Sequence, residues 1–218
     1  MLDPIWLILI SLCLALLPIL FSLISAYLKV SIVLGIFKNA IGAQQIPSGI
    51  VIMGLSLAIT IFIMKPVFLE SNNLLKDIEI QTLQKSKISE VVTVISPALV
   101  PYRKFLQKHS GPKEINLLLN LEKKHNPEKF IESKNNHNPD FFILTTAFLL
   151  TELKEAFMIG FIIMLPFLVI DLVIANLLAG LGMYMLSPVL ISLPIKLLII
   201  VGFDAWLLIF KGLFYSHV

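Results

Sequence analysis

Charge-free apolar runs alternate with polar stretches along this chain, and their lengths are those of membrane helices. Ile5–Leu28 holds 24 residues without a charge, about 36 Å as a helix and long enough to cross a bilayer. Pro18 should kink it. Lys29–Gln45 follows as a connection carrying Lys29 and Lys38 with no acid. Ile46–Met64 is a second apolar run, with Pro47 near its start and Gly54 and Ala58 spaced for close helix contact. Lysines in a short connection favour its cytoplasmic placement, which puts the N-terminus and the following polar stretch on the far side. Three blocks result: N-terminal apolar helices over 1–64, a polar extramembrane insert over 65–140, and a C-terminal apolar block over 141–218.

The insert alternates short apolar stretches with Lys and Glu and is punctuated by Pro97, Pro101 and Gly111-Pro112. KHNPEKF and NHNPDFF repeat an Asn-Pro turn followed by an acid, which suits a helix start. The segment should be a small, mostly helical domain. His109, His125 and His137 lie among lysines without ligand spacing and read as solvent-exposed.

The last block is strongly apolar yet carries Glu152, Lys154, Glu155, Asp171, Lys196, Asp204 and Lys211. A charge at the centre of a membrane helix costs roughly 2.5–3.5 kcal/mol, while Leu, Ile, Phe or Val returns about 0.3–0.6. The three charges of TELKE would cancel more than a dozen apolar residues, so a lone lipid-facing helix over Phe141–Leu165 is disfavoured. These charges should face protein or water, as buried ion pairs or subunit contacts. Their order is informative. A hairpin turning between Met183 and Tyr184 sets Asp171 opposite Lys196 and Glu155 opposite Lys211. Pro166, Pro188 and Pro194 should bend its legs. The tip would be LAGLGMYMLSP, two glycines and a Met-Tyr-Met cluster before a Ser-Pro turn.

Composition agrees. The chain is 57% hydrophobic with a mean hydropathy of +0.92. Only 14% of its residues are charged, against roughly 25% in globular proteins. A net charge of +3, spread thinly, does not suggest nucleic-acid binding. The single Cys13 excludes an internal disulfide and a cysteine zinc cluster, and reads as a small packing residue. The start MLDPIW lacks the basic region of a signal peptide, so Ile5–Leu28 reads as a retained segment. Gln44-Gln45 fits either partner recognition or the capping of a bend.

Two long stretches carry a family resemblance. Ile32–Val67 (IVLGIFKNAIGAQQIPSGIVIMGLSLAITIFIMKPV) and Leu150–Trp206 (LTELKEAFMIGFIIMLPFLVIDLVIANLLAGLGMYMLSPVLISLPIKLLIIVGFDAW) resemble the two signatures of the type III secretion export-apparatus R subunit. This is the SctR, YscR or SpaP family of injectisomes, called FliP in flagella. They cover about two-fifths of the chain, in the same order around a variable insert. The short start favours the injectisome branch. The resemblance implies an all-α membrane-type protein of long kinked helical hairpins, assembling into a helical or conical homo-oligomer, pentameric in this family. Its partners would be the smaller S and T subunits (Q and R in flagella), the larger export-apparatus and switch subunits, and unfolded secreted proteins. It would sit in the bacterial inner membrane with its cone on the periplasmic side.

On this resemblance Met183, Tyr184 and Met185 match the methionine-rich ring that closes the export pore. Tyr184 stands where the family commonly has a third methionine. Gly180, Gly182 and Pro188 would give the gate loop its flexibility. Methionine is unbranched and polarizable, so it can close on itself and repack around varied sequences. Read without the family, the same cluster is ordinary packing. No catalytic, cofactor-binding or metal residue is expected.

Two other functions remain open at this point. Asp171 and Asp204 could serve an intramembrane aspartyl protease, although Val201-Gly-Phe-Asp204 is an incomplete Gly-x-Gly-Asp motif. The intramembrane charges could also line the solute path of a small secondary transporter or channel, or relay protons, though no internal repeat is present.

Overall fold

The structure, a computed structural model, describes residues 25–42, 47–76, 99–125 and 139–217, with a few isolated positions before residue 25. Most of the Ile5–Leu28 run, with Cys13 and Pro18, lies outside the described residues, as do Gln44, Gln45, Pro97 and His137. Every regular element among the described residues is a helix: α1 (Tyr27–Ile41), α2 (Gly49–Lys76), α3 (Val100–His109), α4 (Pro112–His125), α5 (Phe141–Gly180), α6 (Pro188–Gly202) and α7 (Ala205–Tyr215). Helices α2 and α5 are long and apolar enough to cross a membrane. So are α6 and α7 taken as one span bent by 62°. The chain divides into two compact units, one of Met1–Ser25 and Ile61–Glu152, the other of Ala26–Thr60 and Leu153–Val218.

In the first unit Met64, Phe105, Leu106, Leu144 and Phe148 form a buried cluster, with Val67, Tyr102 and Ile115 packed against it. The α3–α4 turn is tied to α5 twice. The Ser110 hydroxyl donates to the Leu144 carbonyl at 3.3 Å, and the Gly111 N–H donates to Thr151 Oγ1 at 2.8 Å. His109 is not the solvent-exposed residue expected. Its Nδ1 lies 2.9 Å from the Phe105 carbonyl, and its ring packs on Phe105 with centroids 4.5 Å apart.

In the second unit α1 is the central helix. The sequence reading placed a cytoplasmic connection here. Instead Lys29, Val30, Val33, Leu34, Phe37, Ala40 and Ile41 are buried, one broad helical face. Phe37 meets Phe167 of α5 and Trp206 of α7 edge-on, with centroids 6.0 and 4.9 Å apart. Ile36 lies over Gly160, where an added Cβ would approach the Ile36 Cβ to 3.2 Å. A buried Lys29 casts no vote on membrane topology.

The remaining observations concern helix breaks and contacts. Pro66, Pro166 and Pro194 all sit inside continuous helices. The actual break falls at Phe203-Asp204, between α6 and α7. Gly54 has open space beside it rather than a helix neighbour within the chain. The buried stripe of that helix runs through Ile52, Ser56, Ile59 and Thr60 instead. Its two hydroxyls are satisfied by carbonyls one turn back, both at 2.7 Å.

Candidate functional site

The site is the α5–α6 hairpin, and its tip is built by a helix terminator. Gly182 has φ +74°, the left-handed region that glycine alone enters without cost. The Met183 N–H bonds to the Leu178 carbonyl at 2.9 Å, and the Gly182 N–H bonds to the Ala179 carbonyl at 3.1 Å. This pair of bonds around a left-handed glycine is a Schellman motif, which ends α5 and turns the chain outward. A second turn joins the Leu186 N–H to the Met183 carbonyl at 3.4 Å. Pro188 then starts α6 in the first helical turn, where its missing N–H is no loss. Gly180 is the last residue of α5 and nothing crowds its Cβ position. Of the three residues assigned to loop flexibility, Gly182 is the one whose backbone geometry demands its identity.

Between the two turns Met183, Tyr184 and Met185 project from the hairpin, 48%, 80% and 99% exposed. Met185 touches essentially nothing of its own chain. Tyr184 and Met185 make little contact with their own chain, while Met183 is about half covered by it.

Beneath the tip lies a polar network that joins three helices. Lys196 of α6 is fully buried, and its Nζ donates to Asp171 Oδ2 of α5 at 2.7 Å and to the Ala40 carbonyl of α1 at 3.0 Å. The Ser192 hydroxyl donates to the other Asp171 oxygen, Oδ1. Ala40 lies in the last turn of α1, where the helix dipole favours a cation. Gly42 ends that helix with φ +83°, and a Cβ there would come within 3.2 Å of Val189. Glycine at position 42 thus suits both the left-handed end of α1 and its close approach to α6.

The expected partner of Glu155 is corrected. Glu155 does not meet Lys211; it accepts from the buried Lys29 of α1 at 2.7 Å. Glu152 is fully buried and Lys154 is exposed. Asp204 and Lys211 are exposed on α7 and at its start. Sequence reasoning missed Lys29, Ser192, Ala40 and Gly42. Only Gly42 had a readable signal, as a glycine ending an apolar helical pattern.

The comparisons with known proteins agree along the chain. The FliP family profile matches residues 9–213. The harpin secretion protein HrcR of Erwinia amylovora is 35% identical over 219 residues, covering 99% of this chain and 97% of that protein. The Yop proteins translocation protein R of Yersinia pestis is 36% identical over 215 residues, again 99% and 97%. The virulence protein YscR of Salmonella typhimurium is 40% identical over 207 residues, 94% of this chain and 92% of that protein. With a profile spanning nearly its whole length and such relatives beside it, the chain belongs to the FliP family of type III secretion proteins, on the injectisome side.

Proposed function

We propose that this chain is the R subunit of a type III export gate in the bacterial inner membrane, and that its hairpin tips converge to close the pore that admits unfolded substrate proteins. The observation that carries this reading is the tip itself. Tyr184 and Met185 stand just beyond a Schellman turn almost free of their own chain, and Met183 beside them is half exposed. Copies arranged about one axis would bring these side chains together. A narrow apolar constriction of that kind excludes water and ions by dewetting, and thioether side chains can repack around whatever sequence passes. The copies would form a pentamer joined by the smaller S and T subunits, its cone on the periplasmic side. The intrachain pairing of Asp171 with Lys196 disfavours a transporter whose midplane charges line a solute path.

The test is the double substitution Met183→Ala with Met185→Ala in cells carrying the full gate. It removes bulk without adding charge, so the gate should assemble and leak small ions when secretion is idle. Tyr184→Ala alone should leak less. Conductance or small-solute uptake is the readout, with assembly checked in parallel. An assembled, ion-tight double variant would overturn the gate role of these residues.

A further inference from the structure

Beyond Glu155 the apolar C-terminal helices carry four charges, Asp171, Lys196, Asp204 and Lys211, and the gate reading does not use them equally. Asp171 and Lys196 satisfy one another. Asp204 and Lys211 do not: neither has a side-chain hydrogen bond or ion pair among the described residues. Both are exposed, and their neighbours Val201, Phe203, Leu207 and Leu208 are exposed apolar residues. An unpaired charge in apolar surroundings is costly, and such residues face protein or water rather than lipid.

Asp204 is also strained. At φ 47°, ψ 46° it is the one non-glycine residue with positive φ among those described. Its backbone holds the bend, since its carbonyl accepts from the Leu207 and Leu208 N–H groups at 2.8 and 3.1 Å. Its carboxylate makes no capping bond to α7. The side chain is thus fixed at the corner of a 62° break with no task inside the chain. Strain of this kind persists where the surroundings over-determine it, often at functional contacts.

We infer that Asp204 of one copy pairs with Lys211 of the next, so that the start and the middle of α7 form the two halves of a contact between copies of this chain. The surface is complementary to itself, with one acid and one base on a single short helix, flanked by exposed apolar side chains. Each copy brings one of each sign, so a row of copies neutralises both. Along α7 the two positions lie two turns apart, about 10 Å. Parallel copies can join them only by a shift along that helix. Such a contact is heterologous, each copy offering its acid to one neighbour and its base to the other. The inference rests on the reading of the chain as a repeated subunit of the export gate.

The test is a cross-link between distinguishable copies. One chain carries Asp204→Cys and a differently tagged chain carries Lys211→Cys, both with Cys13→Ser. Coexpressed with the other gate subunits and oxidised, they should give a disulfide-linked dimer bearing both tags, and neither variant alone should give it. Because cysteine suits the left-handed region poorly, Asp204→Asn and Lys211→Met provide a second measure. Each should lower the oligomer fraction in mild detergent about tenfold, and together should cost little more than either alone, as for a coupled pair. Reversal of the charges, Asp204→Lys with Lys211→Asp, should recover assembly. Oligomers that form normally without the mixed dimer, additive effects of the two neutral substitutions, or a cross-link to a smaller subunit instead would each overturn the pairing. The gate reading fails separately: an ion-tight methionine double variant leaves the cross-link untouched.

Discussion

At the scale of single residues, Lys196 is a side chain that cannot lose its partner without cost. Its ammonium is fully buried, whereas the Asp171 side chain keeps 28% of its surface exposed. The two neutralisations should therefore differ. Asp171→Asn leaves a buried cation facing one carbonyl, at a cost of about 3–5 kcal/mol. Lys196→Met leaves a partly exposed carboxylate still bonded to Ser192, at about 1–3 kcal/mol. Denaturation of the detergent-solubilised gate should rank them in that order, and equal losses would show that the pair is not buried as described. The charge-reversed pair Asp171→Lys with Lys196→Asp should recover little, because an acid at 196 would face the Ala40 carbonyl. The ion pair itself was legible, since two opposite charges sit at equal distances from a proposed bend. The rest of the network was not. A backbone carbonyl has no sequence signature, and Lys29 meets Glu155 across 126 positions, where local spacing says nothing.

At the scale of elements, the structure separates glycines by what each does. Gly42 needs both its left-handed backbone and its missing side chain, so Gly42→Ala should cost about 1–2 kcal/mol from the backbone alone, and more from crowding Val189. Gly180→Ala meets open space inside a helix and should be neutral, or stabilising by about 0.5–1 kcal/mol. Thermal unfolding of the two variants should diverge accordingly. If Gly180→Ala reduces secretion while stability holds, gate-loop flexibility at that position has a role beyond the folded geometry. Helix content was readable because apolar runs of this length have few alternatives. The place where the helix breaks was not readable from proline alone. In apolar surroundings a helix keeps every backbone bond it can, so Pro66, Pro166 and Pro194 are absorbed. The chain breaks where Gly202 precedes an aspartate that accepts the left-handed region.

At the scale of the whole molecule, α5 spans 40 residues, about 60 Å as a helix, twice the hydrocarbon thickness of a bilayer. Such a helix cannot be sheltered by lipid along its whole length, and Lys154 on it, with Asp204 and Lys211 beyond it, stays exposed on an isolated copy. Expressed without the other gate subunits, the chain should turn over several times faster in a pulse-chase experiment than when they are coexpressed. Equal lifetimes would show that a single copy rests in the membrane unaided. The length of one helix then acts as a clock for biogenesis. On that expectation, a copy that finds neighbours quickly would be sheltered by them, and one that does not would be cleared. The cell would hold no standing reserve of orphan subunits, and the number of finished gates would follow the scarcest partner rather than the rate at which this chain is made.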